Sequence, residues 1–152
     1  MSMIRIIGCG NILSYDEGVG IHVVRRLNNE ILPENVEIKE LRVPGQFLEA
    51  FITGADKIII IDACVPGSCR GITVARSTPS NNDLKEIFSK TMHAYNLYPL
   101  FGEDSPRTGA LPEEIVIITI EIEVRNKFSV GLSKSVFSAV DNVVEKVMEE
   151  LY

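Results

Sequence analysis

Carboxylates and one of two histidines are the residues of this chain whose types and positions suit chemistry. The sequence holds 21 Asp and Glu residues but only two His and three Cys residues. A zinc site of three histidines or of four cysteines within one chain is therefore excluded. Any metal or acid–base site must be built largely from carboxylates, and the candidates are Asp16, Glu17 and Asp62, together with His93.

The pair Asp16 and Glu17 follows a glycine-rich turn that begins at Gly8. A dinucleotide-binding turn would need a third glycine at position 13, where the chain has Leu13, and the Gly-Lys-Ser/Thr ending of a phosphate-binding loop is absent from this turn. Acids at the start of a helix suit its dipole but repel a polyanion. The turn therefore argues against a nucleotide site. It leaves open whether the two acids cap a helix or belong to a catalytic or metal site.

Asp62 directly follows four isoleucines, Ile58–Ile61, a run typical of a central strand covered on both faces. A carboxylate there is costly to bury unless it is paired, hydrogen-bonded or bound to a cation. If the first and third strands are neighbours, Asp62 faces the acidic turn across the switch point of the sheet, where ligands bind in such folds. The alternative is an Asx turn or a cap on the next loop.

The two histidines have different surroundings in the sequence. His93 lies just before an irregular segment, Ala94–Pro112, and is either a cap, a surface residue or a ligand. The length of that segment favours a loop that grips a substrate. For His22, inside a predicted helix, a structural role is favoured. One histidine with two carboxylates suits a divalent ion, and two carboxylates alone suit aspartic-type acid–base chemistry on an amide.

These residues must be positioned by elements that alternate along the chain. Five apolar or alternating runs predict strands, namely Met3–Ile7, Val36–Leu41, Ile58–Ile61, Gly71–Arg76 and Ile115–Val124. Helical spacing predicts one helix through Val19, Val23, Leu27 and Ile31, short helices over Gln46–Ile52 and Asp83–Ser89, and a long helix over Val136–Leu151. This order predicts an α/β fold, a three-layer, doubly wound, mostly parallel sheet of about five strands with helices on both faces. We expect one domain over residues 1–152.

Local patterns predict how the helices begin. Ser14 and Glu17 have the spacing of a capping box, with Asp16 as the alternative N-cap of the first helix. Ser133 or Ser135 is the expected N-cap of the last helix.

Two strands are expected at solvent-facing places in the sheet. Gly71–Arg76 alternates after a Pro-Gly turn and predicts an edge strand. The fifth strand carries alternating polar residues in its second half, so one of its faces is expected to meet solvent: Thr119, Glu121 and Glu123.

The charge and the cysteines limit the partners and the compartment. Fifteen Lys and Arg against 21 Asp and Glu give a formal net charge of −6, which argues against a nucleic-acid partner. The apolar runs fall short of the roughly 20 residues that a membrane helix needs, which predicts no membrane insertion. Three unpatterned cysteines and no apolar signal region at the start predict a cytoplasmic protein with free thiols, in preference to a Cys64–Cys69 disulfide.

The same elements resemble the hydrogenase maturation endopeptidases, which trim a C-terminal extension from the large subunit of nickel–iron hydrogenases. The family opens with a glycine–any–glycine–asparagine turn, an acidic pair and further glycines, matched here by Gly8, Gly10, Asn11, Asp16, Glu17, Gly18 and Gly20. Its later marks are an aspartate that ends an apolar strand, a histidine after the third helix and a segment before the last helix, matched by Asp62, His93 and Ser129–Ser133. The resemblance spans nearly the whole chain. It fails at Leu41–Gly45, where members often carry Asp-Gly-Gly, and at Ile118–Glu123, where they usually have glycine and proline.

The resemblance implies that Glu17, Asp62 and His93 bind a metal, with Asp16 assisting. That metal is expected to be the nickel already inserted in the large-subunit precursor, so nickel is recognised in the substrate, although other divalent ions suit the same residues. The expected partner is this nickel-loaded precursor, and the expected catalytic residues are Glu17, Asp62 and Asp16. The alternatives are a non-catalytic flavodoxin-like module that binds a divalent metal or small ligand, and a nucleotide-dependent enzyme, which Leu13 disfavours.

Overall fold

The structure, a computed structural model, describes residues 2–42, 47–105 and 107–152. Its strands are β1 (Ile4–Cys9), β2 (Val36–Leu41), β3 (Lys57–Ala63), β4 (Ile72–Ser77) and β5 (Glu114–Ile120). Its α-helices are α1 (Val19–Leu27), α2 (Glu49–Ile52), α3 (Leu84–Ser89) and α4 (Lys134–Leu151). Two 3₁₀ segments, Tyr15–Gly18 and Ala94–Phe101, complete the elements of the described residues.

The strands form one sheet in the order β2-β1-β3-β5-β4. All neighbours are parallel except β4, which pairs antiparallel with β5 at the edge. The chain moves from β1 to one side for β2 and then to the other side for β3, so the switch point lies between β1 and β3. The predicted doubly wound fold and the edge position of β4 are confirmed.

Apolar side chains cover both faces of the sheet. Along β3, Ile59 and Ile61 pack with α1 and α4. Ile58 and Ile60 pack on the opposite face with α2, α3 and the 3₁₀ segment Ala94–Phe101. These four isoleucines are fully buried, as a run without alternation predicts for a central parallel strand. The helices therefore lie on both faces and leave the carboxyl ends of β1 and β3 as the place for polar groups.

The fifth strand and the first helix differ from the sequence expectations. β5 lies between β3 and β4, and after its first residue every position is buried, so neither of its faces meets solvent. It ends at Ile120, which places Glu121 and Glu123 beyond the sheet. The helix α1 ends at Leu27, and Ile31 is 92% exposed. Both expectations were wrong because a short local pattern does not reveal which element ends first or which strand becomes its neighbour.

Two loop predictions also change. The helix expected over Gln46–Ile52 is observed as α2, which begins at Glu49, while Gln46 lies outside the described residues. Residues 43–45, part of the segment that departs from the family pattern, also lie outside the described residues. The segment Ala94–Pro112, expected to be irregular, begins with a 3₁₀ helix whose Ala94, Leu97 and Phe101 are buried. In the part of the chain that the structure describes, no helix combines the length and apolarity needed to traverse a lipid bilayer.

The expectation of free thiols is wrong for two of the three cysteines. Cys64 and Cys69 form a disulfide, with their Cα atoms 6.3 Å apart. The intervening turn, where Gly67 has a positive φ of 80°, brings the two residues together. Cys9 is a buried free thiol at the end of β1.

The contact of α1 with the strand ends depends on Gly20. A Cβ atom at this position would overlap the carbonyl oxygens of Ile61 and Cys9, which belong to backbone that cannot yield easily. We expect Gly20→Ala to lower the free energy of unfolding by about 2 kcal/mol, measured by urea denaturation. Gly102→Ala is the matched control, since Gly102 has a φ of −67° and room for a methyl group. Equal urea midpoints for the two variants would contradict the close packing of α1.

Candidate active site

The candidate residues meet at the carboxyl edge of β1 and β3. Asp62 is the penultimate residue of β3, and the 3₁₀ turn Tyr15–Gly18, which carries Asp16 and Glu17, leads into α1 beside it. Because β1 and β3 are neighbours, the acidic turn and Asp62 lie on the two sides of the switch point. The sequence predicts that Asp62 faces the acidic turn if β1 and β3 are neighbours, and the two strands do pair.

Asp62 is fully buried and is bound by the segment that carries His93. Its Oδ2 accepts hydrogen bonds from the backbone N–H groups of His93 and Ala94, at 2.6 and 2.8 Å. Its Oδ1 accepts one from the N–H of Ala63 at 2.9 Å and lies 2.9 Å from His93 Nδ1. Four contacts fill the acceptor positions of the carboxylate. The arrangement directs Nδ1 of His93 to Asp62 and leaves Nε2 as the ring nitrogen for a ligand.

Opposing effects act on the imidazole of His93. Burial lowers the pKa of His93, but the hydrogen bond and charge of Asp62 and the charge of Glu17 raise it, and the net pKa lies above the ordinary value of 6.5. The influence of Glu17 shows that its carboxylate lies within electrostatic reach of the ring. His93 and Asp62 therefore form a hydrogen-bonded pair, and the charge of Glu17 acts on the same ring.

Glu17 differs from the two aspartates in its exposure. It is half-buried, and its Oε2 accepts a hydrogen bond from the N–H of Asn126 at 2.8 Å. Asn126 has a positive φ of 58°, a conformation that asparagine tolerates better than most residues. The Glu17 side chain is thus oriented by the loop between β5 and α4 and is still partly open to solvent.

Asp16 is fully buried and binds the same loop. Its Oδ1 accepts a hydrogen bond from the Ser133 N–H, and its Oδ2 accepts one from the Ser133 hydroxyl, both at 2.7 Å. Oδ2 also accepts the N–H groups of Glu123 and Val124, at 3.2 and 2.9 Å. This arrangement is that of a positioning residue that ties the acidic turn to a distant loop. A catalytic role for Asp16 stays a prediction.

The caps expected for the first helix are wrong for this reason, whereas Ser133 is the expected N-cap residue of the last helix. Gly18 is at the N-cap position of α1, and no side chain caps the helix, because Asp16 is turned toward Ser133. Ser133 is at the N-cap position of α4, but its hydroxyl binds Asp16 instead of the helix. Ser135 donates its hydroxyl to Glu123.

We call residues 121–133, which run from the end of β5 to the start of α4, the strap. Its contacts with Asp16 and Glu17 were missed from the sequence, apart from Ser129–Ser133, which carried part of the family resemblance. The strap is also held through the backbone, where Tyr15 N–H donates to Ser129 and Ser129 N–H donates to Leu13, at 3.0 and 2.8 Å. No local pattern announces these bonds, because the partners are more than 100 residues apart.

The donor types suit nickel, although they do not form a closed metal centre. Within residues 2–42, 47–105 and 107–152, no three His, Cys, Asp or Glu side chains are arranged to hold a metal ion. Carboxylate and imidazole are nevertheless suitable donors for a divalent transition metal. Ligation by Asp62 would require the metal to replace one of its hydrogen bonds.

His22 lies apart from these contacts, on α1. Its Nε2 is buried with no partner among the described residues. Burial lowers the pKa of His22, the charge of Arg25 lowers it further, and the charge of Asp16 opposes them. The neutral ring is therefore favoured, in contrast to His93.

Comparison with known proteins places this chain in one family. The family model described as hydrogenase maturation protease (HycI) matches residues 21–150. The chain belongs to the hydrogenase maturation protease family. It is 32% identical to a Methanocaldococcus jannaschii protein whose name carries the same family description, over 97% of this chain and 96% of that protein. It is 26% identical to the hydrogenase 2 maturation protease of Escherichia coli, over 97% of this chain and 90% of the relative.

A solved structure agrees with the family assignment. The hydrogenase maturating endopeptidase HybD from E. coli matches with a TM-score of 0.81 at 25% sequence identity, covering 98% of this chain and 91% of HybD. The α/β architecture is thus that of the hydrogenase maturation proteases, and this protein is a peptidase.

The hydrogen bonds of Asp16 lead to a first prediction for the site. Asp16→Ala removes the acceptor of three backbone N–H groups and one hydroxyl. We expect a loss of about 3–5 kcal/mol in the free energy of unfolding, because two buried donors of Ser133 and two part-buried N–H groups lose their charged partner. Glu17→Gln, at a half-buried position, should lose less than about 1 kcal/mol. Urea denaturation of both variants measures the difference, and an unaffected Asp16→Ala would contradict the positioning role.

The two histidines provide a second prediction. In the metal-free chain, NMR titration should give a pKa above 6.5 for His93 and below 6.5 for His22. Protonated His93 then stabilises the fold at pH below 6.5, and this contribution is lost as the pH rises through the raised pKa. Asp62→Asn should lower the pKa of His93 and leave that of His22 unchanged. A His93 pKa that does not respond would show that Asp62 does not hold the ring.

Proposed function

We propose that this peptidase removes the C-terminal extension of a nickel–iron hydrogenase large-subunit precursor after nickel insertion. Glu17, Asp62 and His93 recognise the nickel of the precursor. The observation that supports this most directly is the His93–Asp62 pair, which leaves one imidazole nitrogen for a ligand, while the charge of the half-buried Glu17 acts on the same ring. The similarity to the hydrogenase 2 maturation protease and to the endopeptidase HybD supports a role in hydrogenase maturation.

The contacts favour a metal that comes with the substrate. The hydrogen bond between His93 and Asp62 orients the ring and makes Nε2 a better donor, as carboxylates do behind metal-bound histidines. Glu17 supplies a second carboxylate, whose Oε2 accepts the hydrogen bond from the Asn126 N–H. Two donors and a third that must first exchange a hydrogen bond bind a bare ion weakly. They suit recognition of nickel that the precursor already ligates.

Hydrolysis also needs a group that accepts a proton from the attacking water. Asp16 and Asp62 are fully buried and hold backbone N–H groups, whereas Glu17 is partly open. We therefore assign proton acceptance to Glu17, and we assign positioning to Asp62 and Asp16. The nickel of the substrate, where it lies near the scissile carbonyl, adds polarisation of that bond.

The cytoplasmic location stays a prediction. Two of the three cysteines on which it relied are paired in a disulfide, so that part of its basis no longer holds. Fractionation of cells that express the tagged chain tests it directly.

Glu17→Gln tests the proposed function. We expect the variant to lose about 100- to 10,000-fold in kcat/KM for nickel-loaded precursor, the range that a general base contributes. Release of the C-terminal peptide is measured by mass spectrometry. Glu113→Gln is the matched control, because Glu113 is exposed and precedes β5 at the opposite edge of the sheet.

The outcomes separate a peptidase from a binding module. Normal release of the peptide by Glu17→Gln would contradict the assigned role of Glu17. Binding of nickel or of the precursor by the unaltered chain, without any shortening of the precursor, would favour the non-catalytic module. Release from nickel-free precursor at the same rate would contradict recognition of the metal.

A further inference from the structure

The strap and the first turn of α4 expose large apolar side chains that the proposed chemistry does not use. Phe128 is 81% exposed, Val130 63% and Phe137 72%. Leu13, whose backbone binds the strap, is 40% exposed. Isolated exposed apolar residues are ordinary on protein surfaces, but several in one short segment indicate a surface that is covered by a partner.

The strap begins with Glu121 and Glu123, but the part that follows them is basic, although the chain is acidic. Residues 124–140 contain Arg125, Lys127 and Lys134 and neither Asp nor Glu, whereas the whole chain has a net charge of −6. All three cations are exposed, and none forms an ion pair with the carboxylates of the described residues. Lys127 lies over the ring of Tyr15, with its Nζ 4.2 Å from the ring centroid. This segment therefore complements a partner surface that has carboxylates.

The surface is held rigidly beside the candidate active site. Ser14 and Ser129 form a parallel bridge, and the buried Asp16 binds both ends of the strap. Asn126, between Arg125 and Lys127, donates its N–H to the carboxylate of Glu17. A molecule whose peptide bond is cleaved at Glu17 must therefore lie against the residues that flank Asn126.

We propose that this surface binds the large-subunit precursor. The docking surface consists of Leu13, Arg125, Lys127, Phe128, Val130 and Phe137, and its occupant is a segment of the precursor that combines apolar side chains with carboxylates. This inference rests on the proposed function and deepens it. The apolar groups supply binding free energy, and the cations guide and orient the acidic segment. Binding here brings the scissile bond to Glu17 and aligns it.

Two double variants test the docking surface. Phe128→Ser with Val130→Ser removes apolar groups, and Arg125→Gln with Lys127→Gln removes charge. We expect each to raise KM for nickel-loaded precursor about tenfold, with kcat changed less than about twofold, since the chemistry at Glu17 is intact. Rising salt should raise the KM of the unaltered chain, and the charge variant should have lost most of this dependence.

Matched controls come from the rest of the surface. Ile31→Ser removes an apolar side chain that is 92% exposed, and Lys146→Gln removes a cation on the later part of α4. Both should leave KM unchanged. Urea denaturation of all variants checks that the fold is retained, which is expected because the altered side chains are exposed, apart from the half-buried Lys146.

The outcomes distinguish this inference from the proposed function. If the docking variants have the KM of the unaltered chain while Glu17→Gln is inactive, the docking surface is wrong and the proposed function stands. If the unaltered chain does not shorten the precursor, the proposed function itself fails. If the variants lose binding to vesicles of phosphatidylcholine and phosphatidylserine but keep their KM, the surface belongs to a membrane and the proposal is overturned.

Discussion

Two buried carboxylates hold the long connections of this chain against the carboxyl edge of its sheet. Asp62 accepts the backbone N–H groups of His93 and Ala94, and Asp16 accepts those of three residues of the strap. A buried carboxylate is stable only when its acceptor positions are filled, so each aspartate requires its loop in one position. The loops in turn need the aspartates, because buried N–H groups without acceptors are equally costly. The candidate site lies where the aspartates and the backbone N–H groups of the loops satisfy each other.

The need to satisfy the two buried aspartates gives the four candidate residues different roles. The fully buried aspartates bind backbone, whereas Glu17 and His93 are partly open to solvent. His93 illustrates the coupling, because Asp62 fixes both its backbone and its ring. Glu17 is similarly oriented from the strap through Asn126. The two partly exposed candidate side chains, Glu17 and His93, are therefore each oriented by a hydrogen bond, from Asn126 and with Asp62 respectively.

The charge distribution agrees with a protein substrate in this family of peptidases. The chain as a whole is acidic, but the strap that binds Asp16 and Glu17 carries the cations Arg125 and Lys127 beside exposed Phe128. A loop that served only to satisfy Asp16 would not need large apolar groups in solvent. The disulfide between Cys64 and Cys69 closes the loop that directly follows β3. The connections that follow β3 and β5 are thus both constrained.

The sequence by itself determined the fold class and the identity of the candidate residues. Four isoleucines followed by Asp62 indicate a central strand with a carboxylate at its end, and the alternation of strands and helices indicates double winding, because both patterns depend on local burial. Only the tertiary structure decided that Asp16 binds Ser133, that β5 is central and that the strap orients Glu17. These contacts join residues more than 100 positions apart in the chain. Periodicity and spacing report which side chains are buried, whereas the hydrogen-bond partners of a buried group depend on how distant elements are brought together by the topology of the sheet.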